Sequence, residues 1–184
     1  LLGFSWKRNW VQVMFILEAL WFFLPAFAAN QCPGLAVQLN LPWHSPVSKQ
    51  WLGTNKTWDA YYVAAAGSLL TIYFQKFFSG VNASIGLFSY DRSDLWLIGL
   101  LFGVGAVLGD HVKSFFKRRI GIRPSERWWP LDAIDFAIGS LVVTMPIVGW
   151  IGWKRITVII VLWLVVHPVG NKVGYHIGLR TKPW

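Results

Sequence analysis

Apolar residues along this chain gather in long unbroken runs instead of alternating with polar ones. Five such runs stand out, at 10–28, 60–78, 95–108, 133–151 and 156–169. A helix needs about 20 mostly apolar residues to cross the hydrocarbon core of a bilayer. The pattern therefore predicts an all-α, polytopic integral membrane protein with five transmembrane helices, its cytoplasmic loops forming a polar site. The third run is short and needs help from its flanks. Pro25 is expected to close the first run, and Pro168 with Gly170 the fifth. Glu18 lies inside the first run, and a charge at that depth is expected to face the bundle interior. That run is long enough to span, so it reads as a retained helix. The tail 171–184 alternates Val173, Tyr175, Ile177 and Leu179 with polar positions. It suits either an interfacial amphipathic segment or a disordered end. With no internal repeat and no low-complexity linker, residues 1–184 read as a single membrane domain.

Composition sharpens this picture. Only 14% of the 184 residues are charged, while 55% are hydrophobic, and soluble domains carry about 25% charged residues. Mean hydropathy is +0.46, and the 13 Trp suit a membrane–water interface, where one edge of the ring is apolar and the other wet. The formal net charge is +9. Eleven of the 17 Lys and Arg fall in 29–59, 109–132 and the C-terminal tail, against six elsewhere. Cytoplasmic loops collect Lys and Arg, so the N-terminus is expected outside and the C-terminus inside. The single cysteine, Cys32, excludes an intrachain disulfide and a cysteine-based zinc site.

Candidate chemistry concentrates in residues 109–135, GDHVKSFFKRRIGIRPSERWWPLDAID. Asp110 sits where the third run meets a loop, and Lys113, Lys117, Arg118 and Arg119 follow within ten residues. Asp132 and Asp135 open the fourth run just after Pro130, a residue suited to a helix start. At i,i+3 those two carboxylates share one helical face. Asp oxygens suit Mg²⁺, which takes one or two carboxylates and completes its shell with water and substrate phosphate. Lys and Arg would hold the remaining phosphate oxygens. A metal and cations aimed at one phosphoryl group are the common logic of phosphoryl and nucleotidyl transfer. Taken singly, the basic run is a topology signal and each Asp a helix cap; the conjunction of three acids with the cations is what points to chemistry.

A second polar cluster, Leu52-Gly53-Thr54-Asn55-Lys56-Thr57-Trp58, precedes the second run. There Lys56, Thr57 and nearby backbone amides suit phosphate at a helix N-terminus; the plainer alternative is a cap with an interfacial lysine. Gly103-x-Gly105-x₃-Gly109 is no dinucleotide fingerprint, since it follows no strand and has the wrong spacing; close helix packing through small residues explains it better. His44, His111, His167 and His176 show no ligand spacing, although His111 lies beside Asp110.

Gly109-Asp110, Lys113-Ser114, Lys117-Arg118-Arg119 and Leu131-Asp132 with Asp135 resemble the signature of the membrane CTP-dependent cytidylyltransferases that make CDP-activated lipids. The larger CDP-diacylglycerol synthases carry a Gly-rich stretch before the last acids. This chain has Arg123-Pro124-Ser125-Glu126-Arg127-Trp128-Trp129-Pro130 there, and with its short length it resembles the archaeal branch, the CDP-archaeol synthases. Leu52-Gly53-x₂-Lys56-Thr57-Trp58 is similar to that branch's first motif, with Ala60 where the family usually has Gly, and the His167-Pro168 and Pro183-Trp184 ending is similar too.

The resemblance implies transfer of CMP from CTP to an archaeal isoprenoid ether-lipid phosphate, giving CDP-archaeol and pyrophosphate with Mg²⁺. It implies Asp110, Asp132 and Asp135 as metal ligands and, with Lys117, as catalytic residues. Lys56, Thr57, Lys113, Ser114, Arg118 and Arg119 would bind substrate phosphates. The expected partners are CTP, the lipid phosphate and the membrane, with no nucleic acid and no obligate protein partner. The rival readings are a CDP-alcohol phosphotransferase, which normally needs a longer acidic motif, and a non-enzymatic anionic-lipid-binding or transport protein.

Overall fold

The computed structural model describes residues 3–39, 44–80, 86–123 and 126–178. Five helices follow one another: α1 (Gly3–Gln38), α2 (Asp59–Ser79), α3 (Leu95–Arg119), α4 (Leu131–Val148) and α5 (Trp153–His176). Among the described residues the β-content is one isolated bridge between Pro46 and Thr57.

Three helices outrun their apolar stretches. The first is 36 residues long and continues through Pro25 and Pro33. Proline removes one amide donor and crowds the preceding turn, but in a bilayer no water rewards the freed carbonyls, and helices run on through it. The fifth likewise passes Pro168 and ends at His176, so Val173 and Tyr175 continue the helix of the fifth run. Leu179, Pro183 and Trp184 lie outside the described residues. The third helix is 25 residues long and absorbs the whole basic run, where the sequence pattern predicts a loop. That correction sets the site's geometry, because helical spacing now decides which charges share a face.

Among the described residues, four segments are long and apolar enough to cross a membrane, Trp10–Gly34, Leu95–Arg119, Leu131–Val148 and Trp153–His176, which marks a multi-pass membrane protein. Helix α2 has 21 residues, about 31 Å at 1.5 Å per residue, but Tyr61, Tyr62, Tyr73, Gln75 and Lys76 make it less apolar.

Helix α3 is central and packs on α1, α2 and α4. The core is aromatic: Phe22, Phe23, Phe102 and Phe136 are fully buried. Phe22 meets Phe102 edge-on at 5.4 Å, and Phe136 meets Trp163 at 5.6 Å. Between helices, Ser68 Oγ donates to the Gly99 carbonyl at 2.6 Å and Ser140 Oγ to the Phe102 carbonyl at 3.1 Å, as hydroxyls do where water is absent.

The α3–α4 crossing is a glycine contact. A side chain on Gly109 would strike the Asp135 carbonyl, and one on Gly139 the Gly105 carbonyl and the Gly109 backbone. The small-residue pattern at 105 and 109 thus packs helices, as the sequence suggested. It also carries Asp110, one residue further on, to the start of α4.

Candidate active site

On α3, Asp110, Lys113, Ser114 and Lys117 fall at i, i+3, i+4 and i+7, one stripe of the helix. On α4, Asp132 and Asp135 face that stripe from the first turn. Lys113 Nζ stands between them. It lies 3.1 Å from Asp110 Oδ1, 2.9 Å from Asp132 Oδ1 and 2.5 Å from Asp135 Oδ2. The three acids thus converge on one cation, the chain's own ammonium. Lys56 reaches in from the loop before α2 and donates to Asp110 Oδ2. Lys117 Nζ lies 3.3 Å from Asp132 Oδ1. Three carboxylates against three ammonium groups make the cluster formally neutral.

The remaining oxygens are held as well. Asp132 Oδ2 accepts from the Trp128 amide, and Asp135 Oδ1 accepts from the Phe136 amide at 2.7 Å. Asp135 is buried, while Asp110 and Asp132 are half-buried, so the cluster opens on one side.

Lys56 comes from a tight loop. Val47 N donates to the Lys56 carbonyl at 2.8 Å and Trp58 N to the Ser45 carbonyl at 3.0 Å. Gly53 turns the chain at φ 92°, a conformation open to glycine. Thr57 is buried at the bridge to Pro46. Asp59 begins α2 and meets His44 Nδ1 at 2.8 Å. Burial pushes the Asp59 carboxyl upward, but hydrogen bonds from Thr57 and His44 and the His44 charge outweigh it and hold the group below the usual carboxylate range.

Of the other sequence candidates, Lys117, Arg118 and Arg119 have protein partners. Lys117 is buried and donates to the Glu126 carbonyl, fastening the α3–α4 connection to α3. Arg118 donates to the Ile122 carbonyl. The Arg119 guanidinium sits 4.6 Å over the Trp51 ring and 4.9 Å over the Phe115 ring, and those rings stack on each other at 5.6 Å. Ser114 is buried on the site stripe.

Sequence reasoning missed three participants. Trp51 docks the Lys56 loop on α3. Tyr61 hydroxyl bonds His111 Nδ1 at 2.8 Å, joining α2 to the residue after Asp110. Asp59 anchors the start of α2. No spacing signals Tyr61 or Trp51; an acid opening a helix after a Lys-Thr-Trp run was the one readable hint.

Oxygen donors from three Asp, all within 3.1 Å of a single point, suit a hard divalent cation. Among the described residues, no three His, Cys, Asp or Glu side chains are grouped as a ready-made metal cage; here they are spread around the Lys113 ammonium.

The model of the CarS-like CDP-archaeol synthase family matches residues 12–184. This chain belongs to that family. A CDP-archaeol synthase of Methanopyrus kandleri is 30% identical over 175 residues, covering 91% of this chain and 92% of its own. One of Methanospirillum hungatei is 40% identical over 90 residues, covering 46% of this chain and 54% of its own. A solved structure described as an intramembrane enzyme for archaeal membrane lipid biosynthesis superposes with TM-score 0.69 at 26% identity, over 85% of this chain and 94% of that one. Family membership makes the chain an enzyme, a CTP-dependent nucleotidyltransferase of membrane lipid synthesis. The phosphotransferase and non-catalytic readings are not favoured.

Proposed function

We propose that the cluster of Asp110, Asp132 and Asp135 with Lys56, Lys113 and Lys117 is where CTP meets an unsaturated archaeal ether-lipid phosphate of the 2,3-di-O-geranylgeranylglyceryl type. In the reaction, a lipid phosphate oxygen attacks the α-phosphorus of CTP. A new P–O bond forms, the bond to the β-phosphate oxygen breaks, and its electron pair leaves with pyrophosphate. No general base is needed, since the nucleophile is already ionised at neutral pH.

Lys56 and Lys113, as compact ammonium charges on flexible stems, hold phosphate oxygens and offset the charge that builds on the leaving pyrophosphate. Ser114 adds a hydroxyl donor beside them, Thr57 does so once its hydroxyl turns from Asp59, and Arg118 and Arg119 extend the basic rim. Lys117 keeps Asp132 in place. Asp110, Asp132 and Asp135 are the residues that would hold one or two Mg²⁺ ions, which when bound supply positive charge to the triphosphate and the incoming phosphate.

In this reading α2 also crosses the bilayer, giving five spans, with the N-terminus outside and the site and C-terminus cytoplasmic, where CTP is found. The bias of Lys and Arg toward one set of loops supports that orientation. The isoprenoid tails lie between helices, open to lipid.

The observation that carries the proposal is the convergence of three carboxylates, from two helices, on one cation at the open end of α3 and α4. Purified protein supplied with CTP, Mg²⁺ and the lipid phosphate should release pyrophosphate and form the CDP-lipid, and EDTA should stop it. Turnover that survives EDTA would remove the metal from the proposal, and no turnover with any ether-lipid phosphate would remove the acceptor.

A further inference from the structure

Lys113 holds a position that the proposed reaction cannot leave it in. Its ammonium contacts an oxygen of each carboxylate at 3.1, 2.9 and 2.5 Å. Those are the oxygens a divalent ion would need. Ammonium and metal ion cannot share them, since the two cations would stand in contact at a place where little water screens their repulsion.

Simple arrival of the metal is also unfavourable on charge grounds. The six ionised side chains are balanced as they stand, and the Lys113 side chain is only 13% exposed. A divalent ion added alone would leave the cluster with two uncompensated positive charges at partial burial, an expensive state. It would also leave the Lys113 ammonium without the carboxylates that surround it. Both problems vanish if a polyanion comes at the same time. The nucleotide's phosphates then receive the ammonium, which a four-carbon stem can swing without moving the helix, and their charge balances the metal.

We infer that Lys113 is the resident counter-cation of the three-carboxylate site: it keeps the acids together before substrate binds, competes with the divalent ion for them, and yields them when nucleotide phosphates arrive to take its ammonium. Metal affinity is therefore low in the free enzyme and rises with nucleotide. The inference rests on the reading that these three Asp hold the metal, and it adds the order in which the site fills.

The test is direct binding of Mn²⁺ to the full-length protein in detergent without nucleotide, followed by the loss of the free-ion electron paramagnetic resonance signal. Lys113→Gln should bind Mn²⁺ more tightly than the unaltered protein, on the order of tenfold, within the usual range of coupling between sites. Lys56→Gln removes an equal charge but a lysine that touches only Asp110, and should gain distinctly less. Lys113→Ala should show the same gain, and methylammonium, small enough to fill the vacated place, should reverse it where tetramethylammonium at equal ionic strength does not. If both Lys113 variants bind Mn²⁺ no better than the unaltered protein, the competition is overturned while the metal site stands. Equal gains in the Lys56 and Lys113 variants would reduce the effect to bulk charge and overturn it as well. If no form binds Mn²⁺ and Asp132→Asn makes no difference, the metal assignment falls first and takes the inference with it.

Discussion

Both ends of the bundle set acids against cations, and they do so in opposite ways. At the far end from the site, every pair among the described residues involves arginine. Arg92 Nε and Nη2 donate to the two Asp94 oxygens at 2.8 and 2.7 Å, and Nη2 also reaches the Ile147 carbonyl at 3.3 Å. Hydrogen bonding to Arg92 holds the Asp94 carboxyl below its usual range. Arg155 donates to Glu18 at 3.2 Å and to the Ile151 carbonyl at 3.3 Å, with its guanidinium over Phe15. These are planar forks bonded at several points, and Glu18 finds there the partner that a charge within a span requires. At the site end the cations facing the three acids are lysines, point charges, and one of them, Lys113, is shared among all three carboxylates. A fork ties helices together, whereas a shared ammonium is exchangeable. The contrast separates the end that holds the bundle from the end where we propose the reaction takes place.

The sharpest way to break that division is to neutralise one acid at each end. Asp132→Asn should lower CTP-dependent product formation by about a thousandfold, as expected for removal of a group that stabilises the transferring phosphate. Glu18→Gln should lower the melting temperature through an unpaired Arg155 and leave turnover within a few-fold. Pyrophosphate release and thermal unfolding, measured on both variants, decide it. Comparable loss of turnover in the two would erase the distinction.

Next in size comes the crossing that joins the acids of α3 to those of α4. Gly139→Val should separate the helices, since its Cβ would strike the Gly105 carbonyl and the Gly109 backbone; overpacking of this kind costs about 1–3 kcal/mol. We expect a lower melting point and at least a tenfold fall in turnover. Gly170→Ala, where a Cβ meets nothing within 4 Å, should leave both unchanged. A Gly139→Val protein with unaltered turnover would show that the acids do not depend on the close approach.

What could be read beforehand follows from the same physics. Hydrophobic runs reveal helices because a bilayer rewards apolar length, and every helix overlaps a run found in the sequence. Helix ends were not legible. Pro25 and Pro168 looked like stops because proline ends helices in water, and the run from Lys113 to Arg119 looked like a loop because charge usually leaves the membrane. Asp110, Asp132 and Asp135 were readable as a set because they sit at the facing ends of two apolar runs with the basic residues between them, in an order that resembles a known signature. Which cation they would meet was not readable, nor that Arg119 lies over Trp51, because both depend on contacts between segments far apart in sequence. Arginines 118 and 119 are identical to the eye in a list of basic residues, yet one binds a carbonyl and the other lies over a pair of stacked rings.

The Arg119 stack gives the next, smaller effect. Trp51 lies five residues before Lys56, and its ring is fixed against Phe115 with Arg119 above. Loss of a partly exposed cation–π contact is worth about 0.5–1 kcal/mol. Trp51→Ala and Arg119→Gln should therefore raise KM for CTP a few-fold by loosening the loop that carries Lys56, with kcat nearly unchanged. Because the stack uses the flat guanidinium, Arg119→Lys should recover little. A tenfold or larger drop in kcat for Arg119→Gln would instead make it a direct contact of the reacting phosphates.

The smallest effect belongs to the far end. Asp94→Asn cuts an ion pair at the membrane surface whose members are more than a quarter exposed, and exposed pairs are largely screened by water and salt. Arg92 keeps the Ile147 carbonyl as a partner, so the junction of α3 and α4 should hold. Turnover and KM should match the unaltered protein, and the melting point should shift only at low ionic strength. A substantial change in kcat from this variant would mean that the two ends communicate through α3 and α4, which meet at the glycine crossing.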